Sequence, residues 1–255
     1  MTETSSPVPS ALQAAWGLRE KPTKGPKPTL SADRIVAAAL DIARTEGYPA
    51  VSMPRLATEL STSAMALYRH VANKDELVLL MMEAAAGEPP APKAPGETWR
   101  AAVERWAYAM VDLYREHAWL PHVPVAAPPA TPRQLAWMET GLRALADTDL
   151  TEKEKLSLLM MINGYIRYDS LIRGQMIDAA RAGGQPVEAS FAQFSALMRH
   201  LVQADRFPML RQAIDGGAMD QPDDPASDLV FGLARILDGI AVFVEARTRR
   251  DAATQ

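Results

Sequence analysis

Polar and cationic side chains cluster between residues 52 and 74, at spacings suited to hydrogen bonding and charge pairing with phosphate groups. Tyr68 and His70 each carry a ring that can donate a hydrogen bond, and Lys74 adds a point charge. Such contacts fix the position of a protein on a nucleic-acid backbone. Because Lys74 opens a predicted helix, the free N–H groups of its first turn also attract anions. The stretch therefore predicts a phosphate-binding surface.

Short helices predicted over residues 31–70 would hold these side chains in place. The first begins at the good N-cap Ser31 and has an apolar face, and the second begins at Ser52. The third spans residues 64–70, after a polar break at 61–63. Two short helices joined by a tight turn and braced by a longer one can present one helix to the major groove. The pattern predicts a helix-turn-helix.

The run from Leu67 to Leu77 resembles the corresponding segment of the TetR family of bacterial transcriptional regulators. This run is the specific part of the resemblance, because an unrelated three-helix unit has no reason to carry the same residues at the same positions. Further matches are Ile35, Ala38, Ala39, Glu46, Gly47, Val51, Ser52, Leu56, Ala57, Leu60 and Ser63. Helix signals dominate from Ser31 onward and strand alternation is nowhere convincing, which predicts an all-α fold. A three-helix helix-turn-helix DNA-binding head would occupy residues 31–80, and a larger helical ligand-binding and dimerisation domain residues 81–255.

The turn between the two short helices departs from the family pattern. This chain has Ser61 and Thr62 where the family usually has glycine and valine. A non-glycine residue at positive φ costs about 1 kcal/mol. We therefore expect either a strained, left-handed Ser61 or a turn of different geometry, with less apolar burial at Thr62.

By resemblance, the start of the third helix reads the bases. Its small and mostly apolar residues suit contact with thymine methyl groups better than bidentate hydrogen bonding. Arg69 can reach a guanine or only a phosphate, and the sequence leaves both open. A symmetric dimer implies a pseudopalindromic operator in double-stranded DNA. The expected DNA-contacting residues are Ser52, Arg55, Ser63, Ala64, Met65, Ala66, Tyr68, Arg69, His70 and Lys74.

Aromatic and thioether side chains are concentrated in the larger predicted domain. Four of the five tryptophans lie within residues 99–137. They suit a pocket for a flat or lipophilic ligand, although the same side chains can simply fill a core. Polar residues in the helix predicted over 152–181 can bind a ligand or pair across a dimer. The expected ligand-contacting residues are Trp106, Met110, Trp137, Met160, Asn163, Arg167 and Tyr168.

The helices predicted over residues 152–181 and 225–249 carry more apolar surface than a single partner can cover. In the TetR family the corresponding pair forms a four-helix bundle across a two-fold axis, so the resemblance implies a homodimer. It further implies a repressor that a small lipophilic or aromatic effector releases from its operator. The alternative is a DNA-binding regulator of the same fold without a small-molecule effector.

Residues 1–30 contain five prolines among serine, threonine, glycine and lysine, which predicts a flexible basic arm. Within it, Leu12, Trp16 and Leu18 form a small apolar cluster that can order as a short turn on binding. The arm resembles the N-terminal extension of some actinobacterial TetR-like regulators. It can contact phosphates or a minor groove, or it can act as a solubilising tail.

Composition excludes several other functions. The chain has no cysteine and only four histidines, which leaves little material for a metal site. It has no glycine-rich phosphate loop and no nucleophile elbow, so we expect neither an enzyme nor a cofactor. No uncharged apolar run approaches the roughly 18 residues of a membrane span. We expect a cytoplasmic, nucleoid-associated protein that does not contact a membrane.

Overall fold

The computed structural model describes residues 8–18, 30–125, 128–184, 186–220 and 226–254, and within these residues it contains helices and loops but no strand. The helices are α1 (Ser10–Ala15), α2 (Ala32–Glu46), α3 (Met53–Glu59), α4 (Ala64–Tyr68), α5 (Lys74–Ala86), α6 (Trp99–Glu116), α7 (Pro132–Ala144), α8 (Glu152–Ala182), α9 (Val187–Leu201), α10 (Pro208–Asp215) and α11 (Ser227–Thr254). Two 3-10 turns, Tyr48–Ala50 and Leu120–His122, lie between them. The all-α prediction is confirmed.

The head is formed by α2 to α5, and local capping signals start its helices. The Ser31 hydroxyl accepts a hydrogen bond from the Arg34 backbone N–H (3.2 Å) and so opens α2. Ile35 of α2, Leu56 of α3 and Leu67 of α4 are fully buried in one core. These three helices therefore form the three-helix unit predicted from the sequence.

The head core extends beyond residue 80 and includes part of the loop after α6. Trp119, Leu120 and Val123 of this loop are buried in the head core together with side chains of α5. Leu113 and Tyr114, near the end of α6, pack against both the head core and the core of the larger bundle. The two parts of the molecule are therefore joined by packed side chains as well as by the α5 backbone.

The larger bundle is built around α6, α7, α8 and α11. At Gly141 of α7 the packing is close, because an added Cβ would lie 2.9 Å from both terminal methyl groups of Leu159 and 3.2 Å from Trp106. The absence of a side chain at Gly141 therefore allows α7 to approach α6 and α8 closely.

The N-terminal helix α1 lies against α5. Residues 11–15 are all half-buried, and the Trp16 indole N–H donates a hydrogen bond to the carbonyl of Ala130 (2.9 Å). The prediction of a flexible arm over residues 1–30 therefore does not hold for residues 8–18, because their apolar side chains pack on a neighbouring helix. The basic residues expected to contact DNA from this arm lie outside the described residues. They are Arg19, Lys21, Lys24 and Lys27.

Candidate nucleic-acid interface

The helix-turn-helix consists of α3, a tight turn and α4, and a serine caps each helix. The Ser52 hydroxyl accepts a hydrogen bond from the backbone N–H of Arg55 (3.3 Å), and Ser63 does the same for Ala66 (3.2 Å). Because both hydroxyls are occupied by caps, their first role is to fix where the helices begin. Leu67 is fully buried on the inner side of α4 and so sets how the helix is rotated.

The turn between α3 and α4 contains a left-handed serine. Ser61 has φ +50°, the only positive φ of a non-glycine residue in the described part of the chain. The Ser61 backbone N–H donates to Thr58 (3.1 Å) and the Thr62 N–H to Ala57 (2.9 Å), so the last turn of α3 closes without a glycine. Of the two geometries expected from the sequence, the strained one is present. Thr62 is half-buried.

The outer face of α4 carries the side chains expected to meet DNA. Met65 is 75% exposed, and Tyr68 and Arg69 are also exposed. Ala64 and Ala66 are half-buried, and their small side chains leave room beside Met65. A short helix with one apolar projection flanked by a phenol and a guanidinium can enter a major groove and meet both thymine methyl groups and phosphates.

Arg55 is held by two carboxylates of the head. Its guanidinium lies 2.6 Å from Glu46 at the end of α2 and 2.9 Å from Glu59 at the end of α3. The hydrogen bond from Arg55 lowers the pKa of the Glu46 carboxyl, and both carboxylates raise the pKa of Arg55. In this arrangement Arg55 stabilises the corner between α2 and α3, so contact with a phosphate would require it to leave these partners.

His70 and Lys74 lie where the chain passes from α4 to α5. His70 is half-buried, whereas Lys74 is exposed at the first residue of α5. The Asn73 side chain caps this helix by accepting a hydrogen bond from the backbone N–H of Glu76 (2.8 Å). Because the cap leaves the Lys74 side chain outside, its ammonium group can reach a phosphate next to the positive end of α5.

Three of the residues expected to contact a ligand lie together inside the larger bundle. Trp106, Met110 and Trp137 are all buried. The Trp106 indole N–H donates to the carbonyl of Trp137 and the Trp137 N–H to the carbonyl of Ala86, both at 2.9 Å. Both tryptophans therefore contribute to the core, with their polar atoms already hydrogen-bonded.

Asn163 and Arg167 lie on α8 beside the loop that enters the head core. The Tyr114 hydroxyl donates to the Asn163 side-chain oxygen (3.0 Å), and burial raises the pKa of Tyr114. The Arg167 guanidinium donates to the carbonyls of Pro121 (3.1 Å) and Val123. These polar groups connect α8 to the base of the head.

Met160 and Tyr168, also on α8, are 72% and 65% exposed, so the structure does not bring them together with the other five. Between α8 and α11 lies a groove, which we call the α8–α11 groove, with a volume of about 270 Å³. The groove is lined by Leu158, Met161, Arg235, Ile236, Gly239, Ile240 and Phe243. A single chain leaves this largely apolar surface open.

A larger cleft, of about 530 Å³, lies between the end of α5 and the second half of α6. Of the residues expected to contact a ligand, only Trp137 lines it, beside Ala84–Ala86 and Leu113. Glu88, Asp112 and Glu116 are at its polar side. These lining residues were not predicted from the sequence, although the run of three alanines was a signal, because small side chains leave the backbone of the helix accessible to a ligand.

Two other site types were tested in the described part of the chain. No group of three histidine or acidic side chains is placed to hold a metal ion. No helix there combines the length and the hydropathy required to span a membrane.

Two family profiles match the chain. The profile described as "Bacterial regulatory proteins, tetR family" matches residues 35–81, and "Tetracyclin repressor-like, C-terminal domain" matches residues 91–244. The first covers most of α2, all of α3 and α4 and most of α5, and the second covers most of the remaining helices.

Characterised relatives and solved structures agree with these profiles. The HTH-type transcriptional repressor DrrR1 of Streptomyces coeruleorubidus is 34% identical over 248 residues, which cover 96% of this chain and 90% of that protein. An HTH-type transcriptional regulator of Saccharopolyspora erythraea is 30% identical over 65% of this chain and 68% of its own length. The structure of ActR from Streptomyces coelicolor in complex with actinorhodin is similar, with a TM-score of 0.70 and 26% identity over 84% of this chain and 97% of that one.

Proposed function

The chain belongs to the TetR family of transcriptional regulators, and we propose that it acts as a homodimeric repressor that leaves a pseudopalindromic operator when a small effector binds. As a TetR-family repressor it is a DNA-binding regulator and not an enzyme. Since its target is DNA, we place it in the cytoplasm at the nucleoid. The observation that carries the proposal is the exposed outer face of α4, held at a fixed rotation by the buried Leu67.

The proposed DNA contacts come from the outer face of α4 and the start of α5. Ser63, Ala64, Met65 and Ala66 would meet the base edges, with Arg69 at a guanine or a phosphate. The phosphate contacts would come from Ser52, Arg55, Tyr68, His70 and Lys74, of which Arg55 must first leave its carboxylates. The test is anisotropy of a labelled duplex from the region upstream of the protein's own gene. An unchanged signal at low salt would contradict DNA binding.

The α8–α11 groove supports the homodimer. An apolar groove between two long helices is the surface that a second copy, turned by a two-fold axis, would cover in a four-helix bundle. Met160 and Tyr168, which are exposed on α8 but do not line the groove, are assigned to the same subunit contact in the proposal. Two such heads would read two half-sites, which accounts for the expected operator symmetry.

A charge on the exposed surface of α8 that is assigned to the subunit contact tests the dimer. Met160→Glu would bury a carboxylate in the subunit contact, which is costly without a partner charge. We expect sedimentation velocity at micromolar concentration to show a dimer for the wild type and a shift to monomer for Met160→Glu. Met209→Glu is the matched control, because Met209 is 74% exposed but lies on α10. A monomeric wild type would contradict the proposal.

The cleft beside Trp137 supports a small-molecule effector, because its volume lies within the range of small-molecule sites. ActR, which has the same fold, has been solved with (S)-DNPA and with actinorhodin. We propose that a flat or lipophilic effector enters at this cleft and contacts Trp137, and that contact with Trp106, Met110, Asn163 and Arg167 would require their packing to open. Thermal shifts with a panel of planar aromatic and lipophilic compounds, to which actinorhodin is added, would find candidates. Each hit should then dissociate the protein from its duplex.

A regulator without a small-molecule effector is the second candidate, and the packing of the bundle favours it. Trp106 and Trp137 are buried, and their indole N–H groups already donate hydrogen bonds to carbonyls, so neither N–H is left to donate to a ligand. If no compound shifts the melting temperature or releases the duplex, this candidate is supported. A compound that does both supports effector control.

A further inference from the structure

An aromatic ring is fixed at the corner between α2 and α3. Gly47, at φ +86°, ends α2, and the turn Tyr48–Ala50 follows it directly. The Ala50 N–H donates to the carbonyl of Gly47 (3.2 Å) and the Val51 N–H to that of Tyr48 (3.1 Å). The Tyr48 ring is half-buried and packs against the head core. The backbone therefore holds this ring in place without any ligand.

The start of α5 brings a lysine to the same corner. Lys74 follows the Asn73 cap and is exposed, and within the described residues it forms no salt bridge. In this it differs from Arg55, whose guanidinium is held by two carboxylates. A lysine side chain is flexible, and a solvated ammonium loses much rotamer freedom when it binds a phosphate.

The ring and the ammonium meet. The Lys74 Nζ lies 5.6 Å from the centroid of the Tyr48 ring, within the roughly 6 Å at which a cation is attracted to an aromatic face. Burial, with the nearby charge of Asp75, raises the pKa of Tyr48, so the phenol beside the ammonium stays protonated.

We propose that Tyr48 is a positioning residue for DNA binding, and that its ring holds the Lys74 ammonium ready for a phosphate. Tyr48 need not touch DNA itself. By restricting the lysine before binding, the ring lowers the ordering cost of the phosphate contact. The inference rests on the proposed function, in which Lys74 contacts the DNA backbone.

A double-mutant cycle tests the pair. The variants are Tyr48→Leu, Tyr48→Phe, Lys74→Met and the double variant Tyr48→Leu with Lys74→Met. Each is measured by anisotropy against the duplex from upstream of the protein's own gene, over a series of KCl concentrations. We expect Tyr48→Leu to weaken binding about two- to fivefold, and Tyr48→Phe, which keeps the ring, to restore most of the affinity.

The background with Lys74→Met separates positioning from head stability. Lys74→Met should lower the slope of log affinity against log salt by about 0.9, the value of one phosphate contact. In that background Tyr48→Leu should cause no further loss, because the ring then has no ammonium to hold. An equal loss in both backgrounds would mean that Tyr48 only packs the head, and would overturn the proposal.

The outcome with Lys74 shows which premise has failed. If Lys74→Met leaves both affinity and slope unchanged, the phosphate contact is absent and the inference falls with it, although DNA binding itself stands. A wild-type protein that ignores the duplex would instead overturn the proposed function. Melting curves of all four variants check that the heads are folded.

Discussion

Replacing Ser61 by glycine should stabilise the protein. Ser61 has φ +50° and an exposed side chain, so it is in the left-handed region where an L-residue is disfavoured by about 1–2 kcal/mol. Glycine avoids this cost, but it adds about 0.4–1 kcal/mol of conformational freedom to the unfolded chain. Subtracting the centres of the two ranges leaves a net gain of about 0.8 kcal/mol in the free energy of unfolding.

Thermal unfolding is a direct assay for this gain. For a chain of this size, about 1 kcal/mol moves the melting temperature by roughly 2–4 °C. We therefore expect a rise of about 1–4 °C for Ser61→Gly, measured by calorimetry at a fixed protein concentration. Ser61→Ala is the matched control, since it removes the hydroxyl but keeps the Cβ, and it should give no rise.

Two results would refute the reasoning. A melting temperature that is unchanged or lower in Ser61→Gly would mean that the left-handed serine costs nothing in this turn. An equal rise in Ser61→Ala would mean that the hydroxyl, and not the backbone angle, is unfavourable. Because the turn keeps its shape, operator affinity should stay within about twofold of the wild type in both variants.

Three further predictions concern the larger bundle. Arg167→Met should remove the donors to two carbonyls of the loop after α6. We therefore expect the backbone amides of residues 119–123 to exchange hydrogen faster than in the wild type. Unchanged exchange would mean that Arg167 does not hold this loop. Gly141→Ala should reduce stability by about 1–3 kcal/mol in urea unfolding, because its Cβ would overlap a buried leucine; no loss would mean that the leucine moves aside. Arg247 and Thr151 lower the pKa of Glu154 to about 2, so its stabilising effect is complete above about pH 4.5 and is lost as the pH falls toward 2. Glu154→Gln should therefore melt at a lower temperature than the wild type at pH 7, and the difference should narrow only below about pH 4.5.

The head was largely predictable because its signals are local. Serine caps at Ser31, Ser52 and Ser63 mark where helices begin, and the apolar spacing shows which side of α2 faces inward. The strain at Ser61 could be expected for the same reason, since the turn depends on only a few adjacent residues. The helices predicted in the larger part are also present, although α11 continues to Thr254.

The remaining features depend on contacts between distant segments. The packing of α1 requires a surface on α5 and a carbonyl at Ala130, and neither can be inferred from the composition of the N-terminal segment. On α8 apolar residues occupy every side, so their period cannot show that Met160 faces outward and Ile162 inward. The carboxylate partners of Arg55 are also hidden in the sequence, because one of them lies nine positions away on another helix.

The side chains that the loop after α6 contributes to the head limit how such regulators can be recombined. Residues 31–80 look like a detachable reading module, but a chimaera that grafts them onto a foreign effector domain would omit Trp119, Leu120 and Val123. The core of the grafted head would then contain a cavity at the position of these three buried side chains. A chimaera that transfers the loop after α6 together with the head would keep this cavity filled.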